Sequence, residues 1–135
     1  MRYNTNRRAC NMIYFDKVSK TYHGGTTAIQ DVTLGIDPGE FVSIVGHSGA
    51  GKTTLLKMLF AEERPTDGIV YFGSRDVGAL PEKELLQLRR NIGTVFQDFR
   101  LLPTKNIYEN VAFAMEVAGK SDEDIQADVP HVLDL

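Results

Sequence analysis

Eight residues, Gly46-His47-Ser48-Gly49-Ala50-Gly51-Lys52-Thr53, constrain this chain more than any other stretch. They fit the spacing G-x-x-x-x-G-K-[ST], which average residue usage yields by chance in roughly one chain in 200 of this size. The run before them, Phe41-Val42-Ser43-Ile44-Val45, is nearly all apolar and rich in β-branched residues, which predicts a central buried strand. After them, Lys52 to about Phe60 reads as a helix with Leu55, Leu56 and Leu59 on its inner face. Strand, glycine loop and helix in that order is the arrangement in which main-chain amides can wrap a phosphate.

The residue types supply the chemistry. Gly46, Gly49 and Gly51 let the backbone curl without Cβ clashes. The successive N–H groups through His47, Ser48 and Ala50 can then line an anion nest, and the helix opening near Lys52 adds the positive end of its dipole. Lys52 brings a full charge to the β- and γ-phosphates. The Thr53 hydroxyl suits Mg²⁺, and Thr54 is placed to donate to the α-phosphate. His47 reads as a rim contact and not as a base. The expected ligand is ATP with Mg²⁺. The loop alone leaves kinases, GTPases and transport ATPases open.

Around the loop, the chain reads as one domain. Residues 1–11 are polar and patternless, either a flexible extension or a mis-called start, with Met12 opening residues 12–135 as the folded portion. Ile13 and Phe15 alternate with polar or amphipathic neighbours, and Val32, Leu34 and Ile36 alternate again after a Gly24-Gly25 turn. Both runs predict strands of an antiparallel sheet. Asp67-Gly68 turns into a strand over Ile69–Phe72, and Pro81 at a first helical position leads a helix over Glu82–Arg90. Ile92–Phe96 reads as a short strand, followed by a loop from Gln97 to Asn106. A helix over Ile107–Val117 is expected to carry Ile107, Val111, Ala114 and Met115 on one face. Ser121-Asp122-Glu123-Asp124 caps a last helix. The chain stops at Leu135 in mid-pattern, which reads as a truncation.

Composition removes other classes. A net charge of −3 and a pI near 5.6 give no basic footprint, and Arg7-Arg8 and Arg89-Arg90 read as solvated surface, so no nucleic-acid partner is expected. The single cysteine, Cys10, allows no disulfide within the chain, which fits a reducing compartment. No apolar run approaches the roughly 18 residues of a membrane helix, and the N-terminus lacks a secretory apolar stretch. A cytoplasmic location is expected, with any membrane role exerted through a partner.

Two flanks narrow the family. Thr21-Tyr22-His23-Gly24-Gly25 precedes the loop, and Gly93-Thr94-Val95-Phe96-Gln97-Asp98-Phe99-Arg100-Leu101-Leu102-Pro103 follows it. With the loop, they resemble the ATPase domain of ABC transporters. The resemblance implies an α/β fold, a P-loop NTPase (ABC ATPase) core with an N-terminal antiparallel β subdomain. It also implies that Tyr22 stacks on adenine, the other reading being a strand-end tyrosine in a half-buried gap, and that Gln97 reaches Mg²⁺ or the attacking water. Val45–Lys52, Leu55-Leu56-Lys57, Glu63-Arg64-Pro65, Leu88-Arg89-Arg90, Phe96-Gln97-Asp98 and Tyr108-Glu109-Asn110-Val111-Ala112 are similar to the FtsE-like, cell-division branch. That branch implies a homodimer of ATPase domains, peripheral on the cytoplasmic face of the plasma membrane, with an integral membrane partner of the FtsX kind. The ATPase of a lipoprotein-release or macrolide-type transporter is the alternative, as is a nucleotide-binding module that never turns over. No L-S-G-G-Q-like signature, no apolar strand ending in Asp-Glu and no switch histidine follow the loop, and His131 reads as an exposed helix residue. The chain is therefore expected to bind ATP with little or no turnover, the enzyme being the full-length parent with Lys52 and Gln97 as catalytic residues.

Overall fold

The computed structural model describes residues 11–135, so residues 1–10 of the expected extension lie outside the described residues. The chain divides into two units, one ending at Leu88 and one comprising Arg89–Leu135.

The first unit is built on strands β1 (Ile13–Thr21), β2 (Thr27–Ile36), β3 (Asp67–Phe72) and β4 (Arg75–Asp76), all antiparallel in the order β2-β1-β3-β4. The Gly24-Gly25 turn joins β1 to β2, with both glycines at positive φ and the Tyr22 N–H donating to the Thr26 carbonyl at 2.9 Å. Alternation along β1 holds only to Phe15. Lys17 adopts φ +51° where the β1 pairings slip, and this bulge brings Phe15 and Val18, three residues apart, both into the core. Asp31 makes a matching irregularity in β2 at φ +46°. Hydroxyls satisfy both displaced amides, Thr33 Oγ1 accepting from Lys17 N–H at 3.2 Å and Ser19 Oγ from Asp31 N–H at 2.9 Å.

Helix α1 (Lys52–Leu59) packs on β2 and β3. Its buried face is Thr54, Met58 and Leu59, whereas Leu55 is half-buried and Leu56 is 51% exposed, so the expected Leu55–Leu56–Leu59 face is rotated. Gly51, Thr54 and Met58 follow the three-then-four spacing of one helical face, so the close approach of Gly51 to β2 sets the phase, not the leucines. Val70, Val77 and Leu88 complete the core of this unit. Helix α2 spans Glu82–Arg90 as expected, but Pro81, whose carbonyl accepts from Leu85 N–H at 3.0 Å, is its cap residue and not its first helical position.

The second unit is a helix pair, α3 (Ile107–Ala118) and α4 (Asp122–Leu133), meeting through Ala112, Ile125 and Val129 with Val111 and Met115 beside them. Ile107 is 73% exposed and Ala114 is also exposed, so only Val111 and Met115 of the expected stripe face this core. Asn110 ties the preceding loop to α3: its Oδ1 accepts from Leu102 N–H at 2.7 Å, and its Nδ2 donates to the Asn106 and Lys105 carbonyls at 2.8 and 3.1 Å.

Neither the expected central strand over residues 41–45 nor the expected short strand over 92–96 forms. Phe41–Val45 has no ladder partner among the described residues, and Phe41 and Val45 are 93% and 90% exposed. Residues 92–96 are likewise irregular, with Val95 fully exposed. A strand exists only when a neighbour supplies its hydrogen bonds, and a parallel neighbour comes from a distant part of a chain. Apolar, β-branched composition records that a segment suits burial; it does not supply that neighbour.

Candidate functional site

Residues 46–51 turn the chain from the exposed 41–45 run into α1. Gly51 carries the turn. It is buried at φ +84°, and a Cβ there would run into the Ala28 carbonyl and lie 3.0 Å from Ile29 Cγ1 of β2. Only glycine permits both the left-handed backbone and the close approach. Gly49 has nearly the same φ, +81°, but faces open space. Gly51 is also the N-cap of α1. The Leu55 N–H donates to its carbonyl at 3.0 Å, yet no side chain caps the helix and no acidic residue stands in the first turn. The first-turn amides and the positive end of the dipole are left without an anionic side chain.

The Lys52 ammonium folds back over the loop, donating to the Gly46 and His47 carbonyls at 2.7 Å each. The Ala50 N–H closes the turn onto the His47 carbonyl at 3.2 Å. His47 Nδ1 lies 2.7 Å from the Ser48 carbonyl, a contact that requires a proton on Nδ1 and holds the exposed ring at the loop's rim. Thr53 is exposed, while Thr54 is buried with its hydroxyl 3.3 Å from that of Tyr22. Tyr22 itself is half-buried, and Lys20 Nζ lies 5.2 Å from its ring centroid.

Sequence reasoning missed Lys20. Its ammonium donates to the Arg64 carbonyl at 2.7 Å and pairs with Glu63 Oε2 at 2.8 Å. The hydrogen bond from Lys20, with the charges of Lys20 and Lys57, holds the Glu63 carboxyl below the ordinary glutamate range against a smaller desolvation effect. The available signal was the two-residue spacing of Lys20 and Tyr22, which places both on one face of an extended chain.

The first unit thus gathers Tyr22, the residues from Gly46 to Thr53, and Thr54 around one helix N-terminus. Gln97 belongs to the second unit, exposed in a loop where the Arg100 guanidinium sits 3.7 Å from the Phe96 ring centroid and 3.5 Å from Asp98 Oδ2. Among the described residues no group of three or more His, Cys, Asp or Glu is placed to hold a metal ion, and no helix is long and apolar enough to cross a membrane.

Residues 29–134 match the family model described as ABC transporter. The chain belongs to the ABC transporter family. Among ABC transporter relatives, it is 48% identical over 124 residues to the cell division ATP-binding protein FtsE of Bacillus subtilis, covering 92% of this chain and 54% of that protein. It is 46% identical over 123 residues to FtsE of Escherichia coli K12, covering 91% and 55%. A solved dimeric ATP-binding cassette, in a post-hydrolysis state bound to ADP and Pi, superimposes with a TM-score of 0.80 at 36% identity, covering 91% of this chain and 56% of that one. The chain spans about half the length of the curated relatives it matches. Its fold is that of the N-terminal part of an ABC ATPase, an antiparallel β subdomain joined to a phosphate-type loop and its helix.

Proposed function

We propose that this chain binds ATP with Mg²⁺ through residues 46–54, as the ATP-binding subunit of an FtsE-like ABC complex. The observation that carries the reading is the helix start at Gly51, left uncapped, with the Lys52 ammonium folded over the adjacent loop. A triphosphate tail would take over the ammonium from the two carbonyls and fill the gap before the first-turn amides. Tyr22 would stack on adenine. Thr53 is free of the core and fits a metal ligand, but a single hydroxyl does not hold Mg²⁺. The ion would arrive with the phosphate oxygens and waters that usually complete its octahedron. By the resemblance of residues 93–103 to the matching segment of ABC ATPases, Gln97 would reach that metal or the attacking water.

In the parent complex, two such subunits would pair and couple ATP binding and hydrolysis to an integral membrane partner of the FtsX kind, on the cytoplasmic face of the membrane during bacterial cell division. The similarity to proteins named for cell division supports this branch. Co-purification with an FtsX-type membrane protein tests the partnership, and association only with a lipoprotein-release permease would reassign the branch. Nucleotide binding is tested by calorimetry on Lys52→Ala. Charge-assisted hydrogen bonds to phosphate are worth about 1.5–3 kcal/mol each, so a loss of about 10-fold or more is expected. Affinity within twofold of the unsubstituted chain would refute the site.

A further inference from the structure

Lys20 and Tyr22 leave the end of β1 together and brace α1 at opposite ends. The Tyr22 hydroxyl is 3.3 Å from Thr54 Oγ1 in the first turn. Lys20 reaches the segment after the last turn, binding the Arg64 carbonyl at 2.7 Å and Glu63 Oε2 at 2.8 Å. That segment is in turn held to the helix, the Glu62 and Glu63 N–H groups donating to the Lys57 carbonyl at 2.9 and 3.2 Å. An ammonium has three N–H donors. The carbonyl and the carboxylate take two, and the Tyr22 ring, 5.2 Å away at its centroid, lies within cation–π reach of the third. The Lys20 side chain is only 14% exposed, so these partners replace most of its water.

We propose that Lys20 is a positioning residue for the nucleobase. Anchored by Glu63 and the Arg64 carbonyl, it holds one face of the Tyr22 ring, while the Thr54 hydroxyl fixes the ring's far end. The ring is left with one face to offer a flat heterocycle, and its orientation is set before the nucleotide arrives. The inference rests on the proposed stacking role of Tyr22. It adds that the base-dependent share of affinity depends on a charge contacting neither base nor phosphate. Pre-ordering removes part of the cost of immobilising an aromatic side chain on binding.

The test compares ATP with inorganic tripolyphosphate, which carries the phosphates without the base, by calorimetry on the full chain. Lys20→Met should weaken ATP binding about three- to tenfold while changing tripolyphosphate binding less than about twofold, and Lys20→Arg should restore most of the loss. Equal losses for the two ligands, or no loss of ATP affinity, overturn the proposal. Should Lys20→Met lose its folded circular-dichroism signature, Glu63→Gln, which keeps the ammonium but removes its anionic anchor, is read by the same comparison. Tyr22→Ala separates the two levels. If it too lowers both affinities equally, or neither, the stacking role itself fails. If it lowers ATP affinity selectively while Lys20→Met does not, only the positioning role fails.

Discussion

Gly49 and Gly51 offer a paired perturbation, because they share a backbone conformation and differ in surroundings. Their φ values are +81° and +84°. Alanine at either position must adopt a left-handed backbone, at about 1–2 kcal/mol. At Gly49 nothing lies within 4 Å of the new Cβ. Part of the strain there is offset by about 0.4–1 kcal/mol of lost unfolded-state freedom, so Gly49→Ala should destabilise by about 1 kcal/mol or less. At Gly51 the Cβ meets the Ala28 carbonyl and Ile29 Cγ1, and a β2 backbone atom cannot swing aside as a side-chain tip can. Overpacking adds about 1–3 kcal/mol, giving about 2–4 kcal/mol for Gly51→Ala. The difference is the overpacking cost, about 1–3 kcal/mol, a sizeable part of the roughly 5–15 kcal/mol that holds a typical domain folded. Urea unfolding followed by far-ultraviolet circular dichroism measures both variants. Equal midpoints would refute the packing of the loop's last glycine against β2, and with it the account of how α1 is phased on the sheet.

Asn110→Leu should release residues 102–105 from α3, since it removes the acceptor for Leu102 N–H and the donor to the Lys105 and Asn106 carbonyls. A cost of about 2–4 kcal/mol is expected, read as faster amide exchange confined to that loop and the first turn of α3. Glu63 has a lowered pKa when folded, so its pairing with Lys20 contributes stability above the unfolded pKa and loses it as pH falls through the lower folded value. A pH titration of the unfolding midpoint should show that acid-side loss in the unsubstituted chain and not in Glu63→Gln.

What was legible in the sequence was what local chemistry decides. The glycine loop, the Gly24-Gly25 turn and the Ser121 cap each follow from residues that do one thing at one position. The alternation of Val32, Leu34 and Ile36 was legible because β2 pairs regularly with β1 as far as Leu34 and the slip between Leu34 and Val32 takes its extra residue from β1, not β2. Three things were not. The bulge at Lys17 depends on a backbone conformation that lysine does not advertise, and it moves the core position from residue 17 to Val18. The buried face of α1 includes a threonine, acceptable there because Tyr22 reaches its hydroxyl, and hydropathy alone favoured the leucines. Phe41–Val45 has the composition of a buried strand and no strand beside it among the described residues. In each case the missing information was a contact from a distant segment.

The three helix starts at Lys52, Ile107 and Asp122 show why the loop is more than a turn. At α3, Asn106 Oδ1 accepts from Glu109 N–H at 2.9 Å while Glu109 Oε2 accepts from Asn106 N–H at 2.7 Å, a reciprocal cap. At α4, Ser121 Oγ accepts from Asp124 N–H at 3.2 Å, and Asp122, Glu123 and Asp124 place negative charge against the dipole. At α3 and α4 the chain closes the helix start with its own side-chain oxygens. At α1 it does the reverse, with glycine at the cap, no carboxylate in the first turn and a lysine at the first helical position. A cation there opposes the dipole by about 0.3–1 kcal/mol, and the Lys52 ammonium meets two carbonyls, of Gly46 and His47, in place of an anion. The start of α1 is thus electrostatically incomplete by composition. An anion carrying several negative charges would complete it, whereas the structural use of Gly51, its close approach to β2, calls for no lysine and no missing carboxylate beside it.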